Sequence, residues 1–243
     1  MNEFLLVLSI ASLAAFLTFL GAPLAERFDV PHRVISAALQ FASGVIAALV
    51  ALSLMPPAVR AGAPVTVALA FFVGGAVFVL FDTYSTKRQA AKATDETSVA
   101  SMGLYVGILV DLFIDGVVIG IGSTLTLTTG LLLALGMAVS TLPLAFVTTS
   151  TAKKQGVSRE NRRRLAALYF ACVLGGALLG YTVLQDQSVE LRLVFISLAS
   201  GFLVTTVTQS LIPEANREGE PGFAGILFVA GMTIYALLTL VVK

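Results

Sequence analysis

Two acidic residues, Asp111 and Asp115, stand in the middle of an otherwise apolar stretch of the chain, Val99–Ile121. In an α-helix, a spacing of four residues places two side chains on one face, with Cα atoms about 6 Å apart along the axis. Each aspartate costs about 2.5–3.5 kcal/mol at the centre of a membrane-spanning helix, and two like charges there require a bound cation or a shared proton. The pair therefore predicts a cation or proton site. The alternative is that both carboxyl groups are protonated, bonded to Ser and Thr of neighbouring helices, and serve packing alone.

A second group of oxygen atoms lies in the next apolar stretch, Leu127–Thr149. Pro143 has no backbone N–H, so the carbonyl of Val139, four residues earlier, loses its helical partner. Ser140 and Thr141 add two hydroxyl oxygens in the same turn. These atoms could line an ion site, or the hydroxyls could simply bond back to their own helix.

Two further polar residues lie near the end of a later apolar stretch, Leu191–Ile212. Gln209 is inside this stretch, and Glu214 follows Pro213 directly after it. We interpret both as candidates to line the path of an ion. For Glu214 the alternative is a solvated residue at the membrane interface.

The elements that position these residues must be membrane helices. Of 243 residues, 57% are apolar and 12% are charged, against about 25% charged in soluble domains, and the mean hydropathy is +0.95. A net charge of +1 offers nothing to hold nucleic acid. The single Cys172 cannot form an intramolecular disulfide, and the single His32 cannot supply the imidazole cluster of most zinc and copper sites.

Eight apolar runs approach the roughly 20 residues that a helix needs to cross a bilayer. They are Phe4–Gly21, Val34–Met55, Val65–Phe81, Val99–Ile121, Leu127–Thr149, Leu165–Leu184, Leu191–Ile212 and Phe223–Val242. We expect an all-α integral membrane protein, a single transmembrane domain of eight helices, with a solvated loop over Thr83–Ser98.

Basic residues predict the orientation, because cytoplasmic loops retain Lys and Arg. Of the 15 Lys and Arg residues, all but Arg60, Arg192 and Lys243 follow helices 1, 3, 5 and 7. This asymmetry predicts both termini outside the cytoplasm. With no organelle signal, we expect a multi-pass protein of the inner or plasma membrane, in contact with the lipid bilayer.

Helices 2 and 7 share a sequence pattern at a constant offset of 157 residues. The shared residues are Ala42, Ser43, Gly44, Ser53, Leu54, Pro56 and Ala58 in helix 2, and Ala199, Ser200, Gly201, Ser210, Leu211, Pro213 and Ala215 in helix 7. Helix 3 matches helix 8 at an offset of 156 through Phe72, Val73 and Gly75, opposite Phe228, Val229 and Gly231. Because helices 2 and 7 run in opposite directions in the predicted topology, we expect an inverted repeat of residues 1–85 and 162–243 around central helices 4 and 5 in 99–152. Such folds usually hold the substrate near the midplane at the repeat interface.

Three motifs resemble those of the ZIP family of divalent metal transporters. Asp111–Gly120, DLFIDGVVIG, is similar to the family's helix 4 signature, and Ser140–Phe146, STLPLAF, is similar to its helix 5 signature in place and in its proline. Leu211–Ala215, LIPEA, is similar to the ending of the family's helices 2 and 7. The resemblance implies a 3+2+3 arrangement of eight helices and movement of a divalent cation into the cytoplasm by alternating access.

The chain departs from the family at the metal ligands. Asp111 and Leu112 stand where the family has His-Asn, and Leu144 stands where an acidic residue follows the helix 5 proline. The remaining set contains only oxygen ligands: Asp111, Asp115, Ser140 and Thr141, with the Val139 carbonyl. Oxygen ligands suit hard cations, which predicts Mn²⁺, Mg²⁺, Fe²⁺ or weakly bound Zn²⁺ as substrate.

We therefore expect a transporter without a cofactor rather than an enzyme, since no nucleophile is paired with a base. Two alternatives stay open: a ZIP-fold membrane protein that no longer transports metal and has a binding or assembly role, or a carrier of protons or monovalent cations. A homodimer also stays open, because Gly74 and Gly75 of helix 3 could form a dimer face or pack helices inside one monomer.

Overall fold

The computed structural model describes residues 3–28, 31–60, 64–92, 96–217 and 222–241, and over these ranges every regular element is a helix. Eight helices in this part of the chain are long and apolar enough to cross a membrane. They correspond to the eight apolar runs, so the prediction of an all-α multi-pass membrane protein is confirmed.

Six of the eight helices are continuous. They are helix 1 (Glu3–Arg27), helix 3 (Pro64–Lys92), helix 4 (Glu96–Leu125), helix 5 (Leu127–Lys154), helix 6 (Arg159–Leu184) and helix 8 (Ala224–Val241). The other two contain a π-helical turn, in which the backbone bonds skip one residue more than in an α-helix. Helix 2 is α-helical over His32–Leu49, π-helical over Val50–Leu54 and α-helical over Met55–Arg60. Helix 7 has the same three parts, Val189–Thr206, Val207–Leu211 and Ile212–Ala215.

Helix 3 extends far beyond its apolar run. The loop predicted over Thr83–Ser98 is wrong for its described residues, since helix 3 continues to Lys92 and helix 4 already begins at Glu96. The reason is local composition: Lys, Arg, Gln and Ala follow the membrane segment, and these residues favour helix even in water. At 1.5 Å per residue, helix 3 is about 44 Å long and exceeds the roughly 30 Å hydrocarbon core.

Short capped turns join the helices from 4 to 7. Thr126, Ser158 and Ser188 each precede a helix, and each side-chain oxygen accepts a hydrogen bond from the backbone N–H three residues later. Gly156, between helices 5 and 6, has a φ of 75°, which glycine adopts without the steric cost of a Cβ. Each of these turns is only one to four residues long.

The eight helices pack as two groups. In the first helix group, helices 1 and 4 each pack against helices 5 and 6. In the second helix group, helix 2 packs along helix 8 and helix 3 packs along helix 7. In both helix 2 and helix 7, the π-helical turn and the short α-helix after it pack against the first α-helical part of the other helix. The groups touch where helix 2 lies against helix 5 and where helix 4 lies against helices 3 and 7.

Glycines let backbones touch inside the second helix group. A Cβ built on Gly44 of helix 2 would lie 1.9 Å from the carbonyl oxygen of Phe228 in helix 8. A Cβ on Gly201 of helix 7 would lie 1.8 Å from the carbonyl oxygen of Phe71 in helix 3. Any side chain at either position would force two helices apart.

A second pair of glycines makes contacts of the same kind. A Cβ on Gly74 would lie 1.8 Å from the Leu198 carbonyl oxygen, and one on Gly231 would lie 2.1 Å from the Phe41 carbonyl oxygen. Gly75 also faces helix 7. Gly74 and Gly75 therefore pack helices 3 and 7 within one chain, which is the second of the two roles considered for them.

Candidate functional site

Asp111 and Asp115 lie on helix 4, inside its membrane-spanning part, Gly107–Leu125. Both are buried, with 8% and 3% of the residue surface exposed, and the two carboxyl groups are close enough to interact electrostatically. Asp111 Oδ1 has no hydrogen-bond partner among the described residues. A buried polar atom without a partner is costly, so this oxygen is available to a cation, a proton or a water molecule.

Helix 4 reaches this position by lying very close to helix 6. A Cβ on Gly116 would lie 2.1 Å from the Val173 carbonyl oxygen, and one on Gly120 would lie 2.2 Å from the Ala177 carbonyl oxygen. The glycine next to Asp115 in sequence thus belongs to the face that packs on helix 6. At about 100° per residue, the two aspartates lie roughly 140° around helix 4 from these two glycines.

Thr206 of helix 7 is the residue of the second helix group that meets this site. Its side chain lies near the Asp111 carboxyl group, and the residue is 3% exposed. The same hydroxyl donates to the Phe202 carbonyl oxygen, 3.2 Å away. Sequence reasoning did not select Thr206, because nothing in the local pattern separates it from Thr205, its equally polar neighbour.

Ser140 and Thr141 are both buried on helix 5. Each hydroxyl lies 2.8 Å from the Met137 carbonyl oxygen, to which it donates, and the Thr141 hydroxyl is also 2.7 Å from that of Thr18 on helix 1. The structure therefore has the second arrangement considered for these hydroxyls, in which both donate to a carbonyl of their own helix. Helices 4 and 5 pack together, yet in the described part of the chain no hydrogen bond joins either hydroxyl to an aspartate.

Helix 5 continues through Pro143 without a break. The missing N–H of this proline still leaves the Val139 carbonyl without its usual helical donor. The Val139 side chain is 44% exposed, so it lies at the surface of the protein. Any contribution of Val139 itself to an ion path would come from its backbone carbonyl alone.

The two path candidates on helix 7 lie beyond Thr206. Gln209 is exposed within the π-helical turn Val207–Leu211. Glu214 is partly buried and pairs with Arg217 at 3.5 Å, and that arginine is itself mostly exposed. Within the part of the chain that the structure describes, neither residue is hydrogen-bonded or ion-paired to Asp111 or Asp115.

A cavity of about 440 Å³ lies between helices 2, 3 and 7, apart from the aspartates. Its lining residues are all apolar: Ala47, Val50, Ala51, Met55, Ala68, Phe71 and Val204. A cation needs oxygen, nitrogen or sulfur ligands, so this cavity does not serve as an ion site.

The acidic pair is not part of a larger cluster of strong metal ligands. Among the residues that the structure describes, no three His, Cys, Asp or Glu side chains come together in a way that could hold a metal ion. A metal bound by both aspartates would therefore complete its shell with hydroxyl or carbonyl oxygens and water.

The sequence comparisons find no relative of this chain. No protein-family model matches this chain, and no curated protein sequence matches it significantly. The resemblance to the ZIP family accordingly depends on the three motifs in helices 4, 5 and 7.

Proposed function

We propose that this chain is a ZIP-like membrane transporter that moves a divalent cation into the cytoplasm, with Asp111 and Asp115 as the carboxylates that bind the ion. One observation carries the proposal: Asp111 Oδ1 is buried, has no hydrogen-bond partner in the described ranges, and lies beside a second buried carboxyl group, inside a helix that is long enough to span a membrane. Ionisable residues in such positions are costly and usually functional.

The chemistry of the pair favours a hard cation. Two carboxylates supply two charges and up to four oxygens, and neutral oxygens from Thr206, Ser140, Thr141 or water can fill the remaining positions of a six-coordinate shell. Mn²⁺, Mg²⁺ and Fe²⁺ accept such a set, whereas Zn²⁺ would bind it weakly for want of imidazole or thiolate.

Helices 1–3 and 6–8 are proposed to form an inverted repeat, with both termini outside the cytoplasm. The glycine contacts support this arrangement. Gly44 contacts Phe228, and Gly201 contacts Phe71 in the same way. Gly201 follows Gly44 by 157 residues, and Phe228 follows Phe71 by 157 residues. The contacts thus favour one offset of 157 for both helix pairs, in place of the 156 that identities alone suggest for helices 3 and 8.

The π-helical turns are a second, independent support for the repeat. Val50–Leu54 and Val207–Leu211 have the same length and are again 157 residues apart. A π-helical turn is rare and is often found at a functional site. Two at matched positions fit a duplicated element better than two unrelated irregularities.

Alternating access is proposed to come from movement of one helix group against the other. Asp111 belongs to the first helix group and Thr206 to the second, so the ion site lies at the boundary between them. A shift along this boundary would change which side of the membrane reaches the carboxylates, as in other transporters built from repeats.

A second candidate is a carrier of protons or monovalent cations. The observation that favours it is the lack of a third strong ligand among the described residues, because two carboxyl groups can share a proton without any further ligand. This function uses the same two aspartates but a different ion.

Uptake into proteoliposomes tests both functions. Zn²⁺, Mn²⁺, Fe²⁺, Mg²⁺, Ca²⁺ and H⁺ are offered to the wild type, to the Asp111→Asn/Asp115→Asn double variant, and to Asp186→Asn, which changes an exposed aspartate away from the site. Flux of one divalent ion that is lost in the double variant and kept in Asp186→Asn is expected. Flux of protons alone would favour the second candidate, and no flux of any ion through folded protein would overturn both.

A further inference from the structure

Helices 4 and 7 pack against each other in opposite directions, and one hydrogen bond fixes their register. Arg192, near the start of helix 7, donates from Nη1 to the carbonyl oxygen of Thr124, near the end of helix 4. Asp111 lies thirteen residues before Thr124, and Thr205 lies thirteen residues after Arg192. Because an α-helix rises 1.5 Å per residue, Asp111 and Thr205 lie at about the same level of the membrane.

One turn nearer the end of helix 7, the space between the two helices is open. Gly107 precedes Asp111 by four residues, so it continues the face of helix 4 that carries the aspartates. No atom of another described helix lies within 4 Å of a Cβ built on Gly107. By the same register, Gly107 lies at about the level of Gln209, and both Gln209 and Ser210 are exposed. These three residues line a crevice between helices 4 and 7, next to Asp111.

The exposed side of this crevice is polar at membrane depth. Gln209 and Ser210 belong to the membrane-spanning part of helix 7, Val189–Ala215. Gln209 lies about 10 Å from the middle of this span, whereas the hydrocarbon core extends about 15 Å to either side of its centre. Neither side chain has a hydrogen-bond partner among the described residues. Such groups are costly in lipid and are tolerated where they line a water-filled space, so they indicate that water enters the crevice.

The π-helical turn of helix 2 shows the contrast. Leu52 lies 157 residues before Gln209 and is 49% exposed, so an apolar side chain occupies the corresponding surface. Ser53 lies 157 residues before Ser210, and its hydroxyl is hydrogen-bonded to that of Tyr235 at 2.8 Å. The exposed surface of helix 2 at this turn therefore suits lipid, whereas that of helix 7 suits water.

In the other direction along helix 4, the aspartates are covered. Val118 and Ile119, in the turn after Asp115, are both 0% exposed, and Ile121 is 1% exposed. Ser197, at about the level of Ile119 on helix 7, is also 0% exposed. The crevice is thus the open side of the site.

We infer that the Asp111 and Asp115 site is open to water through the crevice between helices 4 and 7, on the side of the membrane where helix 7 ends, and that Gly107, Gln209 and Ser210 line the route of the ion there. The part that concerns ion movement rests on the proposed function. The access of water to the crevice does not depend on any flux.

Single cysteines in a Cys172→Ser background test the access of water, because Cys172 is the one cysteine in the sequence. The probe is a charged, membrane-impermeant methanethiosulfonate, added to one side of membrane vesicles at a time. Arg217→Cys marks the side on which helix 7 ends, since the Arg217 side chain is 67% exposed. Leu52→Cys is the matched control for Gln209→Cys, because it is exposed at the corresponding position of helix 2.

From the side that labels Arg217→Cys, we expect Gly107→Cys and Gln209→Cys to react at least about tenfold faster than Leu52→Cys, because the probe reacts with the thiolate, which needs water to form. Equal rates for Gln209→Cys and Leu52→Cys, or reaction from the opposite side alone, would overturn the inference. A disulfide between two copies of Gln209→Cys in place of labelling would also overturn it, since that surface of helix 7 would then face a second copy.

Uptake of Mn²⁺ by the same proteins separates this inference from the proposed function. Complete labelling of Gly107→Cys should abolish uptake, because the attached group fills the crevice, and the same treatment of Leu52→Cys should leave uptake unchanged. Undiminished uptake by fully labelled Gly107→Cys would overturn the inference, because the ion would then take another route. Labelling as expected in a protein that takes up no ion would overturn the proposed function and support the access of water to the crevice.

Discussion

The Arg162 guanidinium donates to both oxygens of the Glu26 carboxylate, from Nε to Oε1 at 2.5 Å and from Nη2 to Oε2 at 2.9 Å. This pair joins the end of helix 1 to the start of helix 6. Only 11% of the Arg162 side chain and 23% of the Glu26 side chain are exposed. Two parallel charge-assisted bonds fix orientation as well as distance, so one of the basic residues that predict the orientation of the chain also binds two helices of the first helix group together.

Glu26→Gln and Arg162→Gln should each lower the thermal unfolding midpoint in detergent, because each change leaves one partly buried charge without its partner. A double-mutant cycle should give a coupling energy of about 1.5–3 kcal/mol, as for hydrogen bonds to charged groups. Arg164→Gln is the control, since its pair with Glu160 is about 70% exposed on both sides and such pairs contribute little. Strictly additive effects of the two changes would show that the pair is not coupled.

Gly44→Ala should destabilise the protein by about 3 kcal/mol or more, because the new Cβ would lie 1.9 Å from the Phe228 carbonyl oxygen and must push helices 2 and 8 apart. The measurement is the yield and unfolding midpoint of purified protein. Gly175→Ala is the control within helix 6, where no atom of another described helix lies within 4 Å of the new Cβ, and alanine there should stabilise the helix by about 0.5–1 kcal/mol. Equal effects of the two changes would mean that the backbones do not touch at Gly44.

Mn²⁺ should raise the unfolding midpoint of the wild type and leave the Asp111→Asn/Asp115→Asn variant unchanged. A ligand that binds only the folded state stabilises it by about 2.7 kcal/mol at a concentration of 100 times Kd. Zn²⁺ should also give a shift that disappears in the double variant, since carboxylate oxygens bind it, although more weakly than imidazole or thiolate ligands would. A zinc response that survives the double variant would place the metal elsewhere.

Ser140→Ala/Thr141→Val should raise the KM for uptake about tenfold and leave the maximal rate close to that of the wild type, a loss of roughly 1.4 kcal/mol in ion affinity. The effect is smaller than the complete loss expected for the aspartates, because neutral hydroxyls add less than charged carboxylates. Thr148→Val is the control, since this buried threonine of helix 5 donates to the Leu144 carbonyl oxygen. A KM equal to that of the control would show that the two hydroxyls do not contribute to the ion site.

Arg192→Gln should loosen the contact between helix 7 and the end of helix 4. Arg192 Nη1 donates to the Thr124 carbonyl oxygen at 2.8 Å, and Nη2 donates to the Gln185 carbonyl oxygen. Amide hydrogen exchange in the last turn of helix 4 should become faster, because local opening no longer breaks these bonds. Arg60→Gln changes an exposed arginine on the same predicted side of the membrane, and unchanged exchange relative to it would argue against the contact.

Much of this fold could be predicted from composition alone. In a bilayer, every spanning segment must form its own backbone hydrogen bonds. Apolar runs such as Leu127–Thr149 therefore predict helices directly. The burial of Asp111 and Asp115 follows from the same constraint. Only the ends of the helices are poorly predicted, as for helix 3, which continues to Lys92. Hydropathy indicates where a helix leaves the membrane but not where the helix ends.

The partners of the aspartates could not be predicted in this way. Thr206 lies near Asp111 because helix 4 packs against helix 7, and nothing in the sequence of either helix predicts that packing. The π-helical turn after Thr206 could not be predicted either, because Val207–Leu211 contains no proline or glycine to mark it. Gln209, which polarity singled out, is exposed instead.

The close glycine contacts have a consequence for the chain as a whole. Each close contact inside the second helix group joins a helix that ends by Lys92 to a helix that begins after Ser188, so neither portion of the polypeptide holds both surfaces of the contact. A gene divided between helices 5 and 6 should therefore produce two fragments that aggregate when expressed singly. Coexpressed, they should complement each other and form a complex that purifies through a tag on either fragment.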